Sequence, residues 1–134
     1  MNIKGLLVSG LAVILVIAGV SGFVLAGSSL DNQTYEQIQR GEKIFRKCKA
    51  CHSFKKNGLG PNLSGIVMRP FASAKGFRYS SALRERQDFT WTVDNLDAFL
   101  ADPHSFIPGN RMRFKGIKKK EDRESLIEYL KNVS

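Results

Sequence analysis

The chain has 134 residues, a formal net charge of +9 and two cysteines, Cys48 and Cys51, which lie in one short motif and leave none for structural disulfides. Beyond an apolar N-terminus about a hundred residues remain, room for one small domain and not two. The basic excess raises nucleic-acid binding as a first reading, but no nucleic-acid motif accompanies it.

Met1-Asn2-Ile3-Lys4 is a short basic lead, and residues 6–26 then carry no charge. A cleaved signal peptide needs an apolar stretch of about 7–15 residues and a spanning helix about 20. The run therefore predicts an uncleaved N-terminal transmembrane anchor. Small residues in Val24-Leu25-Ala26 keep cleavage as the alternative. Lys4 stays inside and the rest of the chain is exported. Gly27, Ser28, Ser29, Asp31 and Asn32 read as a short linker, so residues 1–29 are expected to form anchor and linker and residues 30–134 the folded domain.

The first helix of that domain is expected over 33–49, with Tyr35, Ile38 and Phe45 on its apolar stripe and Asn32 as cap. Gly41 sits mid-helix, which a close helix contact would justify. Cys48-Lys49-Ala50-Cys51-His52 then gives the C-x-x-C-H haem-attachment pattern. Two thiols hold the macrocycle covalently, and the adjacent imidazole becomes the proximal iron ligand. A thioredoxin-like dithiol needs a βαβ context that is missing, and a closed zinc site needs four ligands. Nine phenylalanines suit packing around a porphyrin. So small a domain is expected to fold poorly without the cofactor's apolar surface.

Further on, a short helix is expected over 80–86. Another carries Val93, Leu96, Phe99 and Leu100, capped by Thr92 and stopped near Pro103. The last is expected over 119–132, with Leu126, Ile127, Leu130 and Val133 on one stripe and Glu121, Asp122 and Glu124 favouring its N-terminal end. No stretch alternates convincingly as a strand, so the class is all-α. For the second axial position of an iron, Met112 in the turn segment after Ile107-Pro108-Gly109-Asn110-Arg111 is the leading candidate and Met68 its rival. His104, beside Pro103 at a helix end, reads as exposed.

From Gly41 to Lys131 the chain resembles a class I cytochrome c of the mitochondrial type. The resemblance rests on Cys48-Lys49-Ala50-Cys51-His52, Gly60-Pro61-Asn62-Leu63-Ser64-Gly65, Gly76-Phe77-Arg78-Tyr79-Ser80, Thr90-Trp91, Ile107-Pro108-Gly109-Asn110-Arg111-Met112, Phe114-Lys115-Gly116-Ile117 and Leu126-Ile127-Glu128-Tyr129-Leu130-Lys131. The apolar N-terminus resembles the membrane-anchored cytochromes c of alphaproteobacteria. The resemblance implies one covalently bound haem c, with His52 and Met112 on the iron. It implies that the Pro61 carbonyl orients His52 and that Arg69, Tyr79 and Trp91 bond the propionates. Asn110 and Arg111 would hold the methionine loop, and Gly41 and Tyr129 would mark the crossing of the first and last helices.

Two positions depart from the family. Phe99 stands where a tyrosine is common near the methionine sulfur, and Leu83 where an asparagine faces the haem, which predicts a drier pocket and an altered potential. The segment Met68-Arg69-Pro70-Phe71-Ala72 also lacks the usual glycines.

Lys47, Lys49, Lys55, Lys56, Arg111, Arg113, Lys115 and Lys118 cluster with the cofactor loops and would steer the protein to acidic partners. The expected function is monohaem electron transfer from a quinol-oxidising cytochrome complex to a haem-copper terminal oxidase, without enzymatic activity. It would take place on the periplasmic side of a bacterial cytoplasmic membrane, the chain being held there through residues 6–26 or soluble after cleavage. The alternatives are a haem subunit fixed in an oxidase complex and a peroxidase or gas sensor with a labile sixth ligand.

Overall fold

The computed structural model describes residues 21–133, with side chains from Leu30 onward. The apolar run 6–26 lies outside the described residues except for 21–26. Among the described residues no helix is long and apolar enough to cross a membrane. The chain divides into two units between Asn32 and Gln33, and the second, Gln33–Ser134, holds both cysteines and every predicted site residue.

Five helices are described: α1 Ser21–Phe45, α2 Ser81–Arg84, α3 Val93–Ala101, α4 Pro103–Phe106 and α5 Lys120–Asn132. The expected linker at 27–32 is helical and belongs to α1, because once a helix is nucleated each added residue gains a hydrogen bond. At its other end α1 stops at Phe45, earlier than the sequence predicts, and residues 46–51 form turns.

The core forms where α3 and α5 pack together and α1 crosses α5. Phe45, Phe71, Leu126 and Ile107 are its most deeply buried large side chains. Gly41 makes the crossing possible. A Cβ there would lie 2.0 Å from the Ser125 carbonyl oxygen and 2.6 Å from Tyr129 Cβ. Ile38 packs against the core as expected, whereas Tyr35 is 62% exposed. Tyr35 lies six residues before Gly41, about 9 Å along the axis, beyond the reach of the crossing. Arg40 Nε reaches Asp122 Oδ1 at 3.0 Å and ties α1 to the first turn of α5.

In α3, Thr92 Oγ1 accepts from Asn95 N at 3.1 Å, the cap the sequence predicts. Val93 opens the helix and is 41% exposed rather than core. Pro103 does stop α3, but it also starts α4 at its first position, where the missing N–H costs nothing. Asp102 caps α4 by accepting from Ser105 N at 3.2 Å and Ser105 Oγ at 3.0 Å. Arg123, nearly buried, is held by Asp97 of α3 through Nε–Oδ1 at 2.7 Å and Nη2–Oδ2 at 3.2 Å. Its Nη1 donates to the carbonyls of Ile117 and Lys118, both at 3.0 Å. One guanidinium thus joins α3, α5 and the end of the loop that carries Met112.

Residues 68–71 run antiparallel to 89–91, with one bridge between Pro70 and Thr90. Met68 and Ala72 flank this pairing with φ of 64° and 54°, left-handed values that cost a side chain about 1–2 kcal/mol each. Glycine removes that strain but gives back about 0.5–1 kcal/mol of chain entropy. Met68 is 64% exposed and loses little packing on truncation. Met68→Gly is therefore expected to raise the unfolding free energy by about 0.5–1 kcal/mol in a guanidinium titration, while Met68→Leu gives no gain.

Candidate haem site

The helices and loops enclose a cavity of about 790 Å³, within the size range of small-molecule and cofactor sites. Cys48, Cys51, His52, Pro61, Arg69, Tyr79, Trp91 and Met112 all line it. Its apolar wall comes from side chains far apart in sequence, among them Phe45, Leu96, Phe99, Leu100, Leu126 and Leu130.

One helical turn follows α1. The Cys51 and His52 amides both donate to the Cys48 carbonyl, at 3.0 and 2.9 Å. Residues three and four apart share a face, so the C-x-x-C-H spacing turns both sulfurs and the imidazole toward one cavity. Neither thiol is in a disulfide. Burial pushes the Cys48 thiol up to about 11.

His52 Nδ1–H donates to the Pro61 carbonyl at 2.8 Å, which leaves Nε2 with its lone pair. Burial lowers the His52 pKa against the opposing effect of that hydrogen bond, which favours the neutral imidazole form a metal takes. Gly60 lets the chain lie against the ring. A Cβ there would meet His52 Cε1 at 2.3 Å and both ring nitrogens at 2.7 Å. Gly60 is quoted in the sequence motif, but only the fold shows what the glycine is for.

Met112 is half-buried and lines the cavity, whereas Met68 is exposed on the surface and is not among the lining residues; neither is His104. Asn110, 7% exposed, sets the methionine loop. Its Nδ2 donates to the carbonyls of Pro103 (2.7 Å) and Ile107 (2.8 Å), and its Oδ1 accepts from Met112 N at 2.9 Å. Arg111 lines the cavity and is exposed.

The polar residues of the wall fit a carboxylate-bearing ligand. Arg69 spends its terminal nitrogens on Ser64 O (2.8 Å) and Asn62 O (2.9 Å), while its buried Nε has no partner. Tyr79 Oη accepts from Ala74 N at 3.2 Å and keeps its own proton for another acceptor. Trp91 is 7% exposed, stacked on Phe71 at 3.9 Å and edge-on to Phe99 at 4.9 Å. Leaving the buried Arg69 Nε unpaired costs free energy that a propionate would recover. Sequence reasoning missed Asn57, a half-buried lining residue that no motif singles out. Its Oδ1 accepts from Asn62 N (2.9 Å) and Asn62 Nδ2 (3.0 Å), and its Nδ2 donates to Lys75 O (2.9 Å).

An all-α shell around one largely apolar cavity, with two thiols and an imidazole on a single turn of its wall, defines a covalent haem protein. The chain belongs to the cytochrome c family, whose model, described as cytochrome c, matches residues 38–134. It is 45% identical over 101 residues to the cytochrome c of Chlamydomonas reinhardtii, covering 72% of this chain and 89% of the algal protein. It is 44% identical over 118 residues to a cytochrome c homolog of Rickettsia prowazekii, covering 84% of this chain and 67% of that protein. The solved structure of cytochrome cH from Methylobacterium extorquens superposes with a TM-score of 0.68 at 42% identity, covering 70% of this chain and 96% of that one. The chain is accordingly a monohaem electron carrier with one covalently bound haem c, and not an enzyme.

Proposed function

We propose that Cys48 and Cys51 carry the haem through thioether bonds and that His52 and Met112 are its axial ligands. Pro61 orients the imidazole, and Arg69, Tyr79 and Trp91 bond the propionates. Bound haem c supplies a one-electron ferrous/ferric couple, and a neutral thioether favours the ferrous side. The chain's own part is to hold both ligands firmly, so that little rearranges when charge changes, and to keep water from the apolar wall.

The observation that carries this reading is the asymmetry between the two thioethers: Met112 faces the cavity on a loop fixed by buried Asn110, and Met68 faces solvent. Replacing Met112 by alanine tests it. The reduced wild-type protein is expected to exclude carbon monoxide, and the Met112→Ala protein to bind it rapidly and lose its sulfur–iron absorption. Rapid binding by the wild type would instead favour a labile sixth ligand and the peroxidase or sensor reading.

The electron is taken from a quinol-oxidising cytochrome complex and passed to a haem-copper terminal oxidase, on the periplasmic side of a bacterial cytoplasmic membrane. Residues 6–26 serve as the anchor. Lys47, Arg78, Arg111 and Arg113 line the cavity with Leu59, which is 85% exposed, and Lys49, Lys55 and Lys56 are exposed on the neighbouring loop. A basic rim that also exposes an apolar side chain suits a transient encounter with an acidic protein face, one that weakens with salt. N-terminal sequencing of the native protein reports whether the anchor is kept. Co-purification with an oxidase after gentle detergent extraction would favour a fixed subunit over a mobile carrier.

A further inference from the structure

The peptide group between Pro61 and Asn62 is hydrogen-bonded at both ends by side chains. Its carbonyl accepts from His52 Nδ1–H at 2.8 Å, and its N–H donates to Asn57 Oδ1 at 2.9 Å. These two bonds lie on one conjugated amide. Drawing on the N–H shifts amide electron density toward the carbonyl oxygen and makes it a stronger acceptor. A stronger acceptor draws the Nδ1 proton further from the ring and raises the basicity of the opposite nitrogen.

Chemistry fixes the orientation of the Asn57 amide. Asn62 N–H can only donate, so the Asn57 oxygen faces it, and the Lys75 carbonyl can only accept, so the Asn57 nitrogen faces that. Asn62 Nδ2, at 3.0 Å, adds a second donor to the same oxygen.

We propose that Asn57 is a positioning residue that tunes the electron donation of His52 through the 61–62 peptide group. The inference rests on His52 being the proximal ligand. It goes beyond that reading because it makes a residue outside the motif a determinant of the potential.

Asn57 also staples the loop after the motif to residues 62 and 75, and two variants separate the staple from the electronic effect. Asn57→Asp keeps a stronger acceptor toward Asn62 N–H but loses the donor to Lys75. Asn57→Ala loses both. As a mere staple, both variants weaken the His52 bond, the alanine variant more. As a tuning group they act oppositely. In the ferrous holoprotein, the His52 Nδ1 proton resonance is expected to move downfield in Asn57→Asp and upfield in Asn57→Ala. The midpoint potential should fall in the first and rise in the second.

A carboxylate acting only through space would lower the potential without moving the Nδ1 proton downfield. That result overturns the proposal, as do shifts of one sign in both variants or no shift in either. If the alanine variant does not mature, the aspartate variant against wild type still decides the sign. An optical spectrum without imidazole ligation in the wild type would remove the site reading itself, whereas normal spectra with unmoved proton resonances remove only the role of Asn57.

Discussion

Gly41→Ala is expected to lower the unfolding free energy of the holoprotein by about 3 kcal/mol, the upper end for overpacking a core. In an exposed helix the same change would gain about 1 kcal/mol from propensity. Here the sign reverses because the new Cβ meets backbone, the Ser125 carbonyl at 2.0 Å, rather than the end of a flexible side chain. α1 and α5 must separate or tilt, which opens the contacts of Phe45 with Tyr129 (5.5 Å) and Phe54 (4.8 Å). Against a total of about 5–15 kcal/mol for an ordinary domain, this is a large fraction. A guanidinium midpoint unchanged from wild type would mean that the crossing is looser than its geometry.

Gly60→Ala is expected to strike the other side of the site. The added carbon would sit 2.3 Å from His52 Cε1, so either the ring or the 60–61 backbone has to move. A ring bonded to iron, as proposed for His52, would resist, and if the backbone yields, Pro61 O leaves Nδ1. Loss of such outer-shell support costs about 10–100-fold in ligand affinity. Protons compete with iron for the imidazole, so a weaker iron bond is lost at higher pH. The acid midpoint for loss of the low-spin spectrum should rise by about one to two units, one per factor of ten. An acid titration of the Soret band measures this directly, and an unshifted midpoint would contradict the close packing of Gly60 on the ring.

What could be read from the sequence was local. Thr92 with Asn95, the stripe Leu126, Ile127 and Leu130, and the motif at Cys48 each need only a few neighbouring residues, and each is found where expected. What could not be read depended on distant chain. Tyr35 has the right helical spacing but lies beyond the stretch where α5 covers α1. The left-handed turns at Met68 and Ala72 carry no glycine to announce them. Spacing left Met112 and Met68 as rivals, and only the tertiary fold turns one inward. Asn57 looks like any turn asparagine because its partners come from residues 62 and 75. Pro103 reads as a stop, and Asp102 shows that it is also a start.

The partial burial of Cys48 bears on when its sulfur can react. With its pKa held near 11, only about one thiol in ten thousand is ionised at neutral pH, and the thiolate is the reactive form. The folded chain therefore disfavours the thiolate at this position. Bond formation at this sulfur is favoured in the open chain, where the thiol keeps its ordinary acidity, and collapse then covers the linkage.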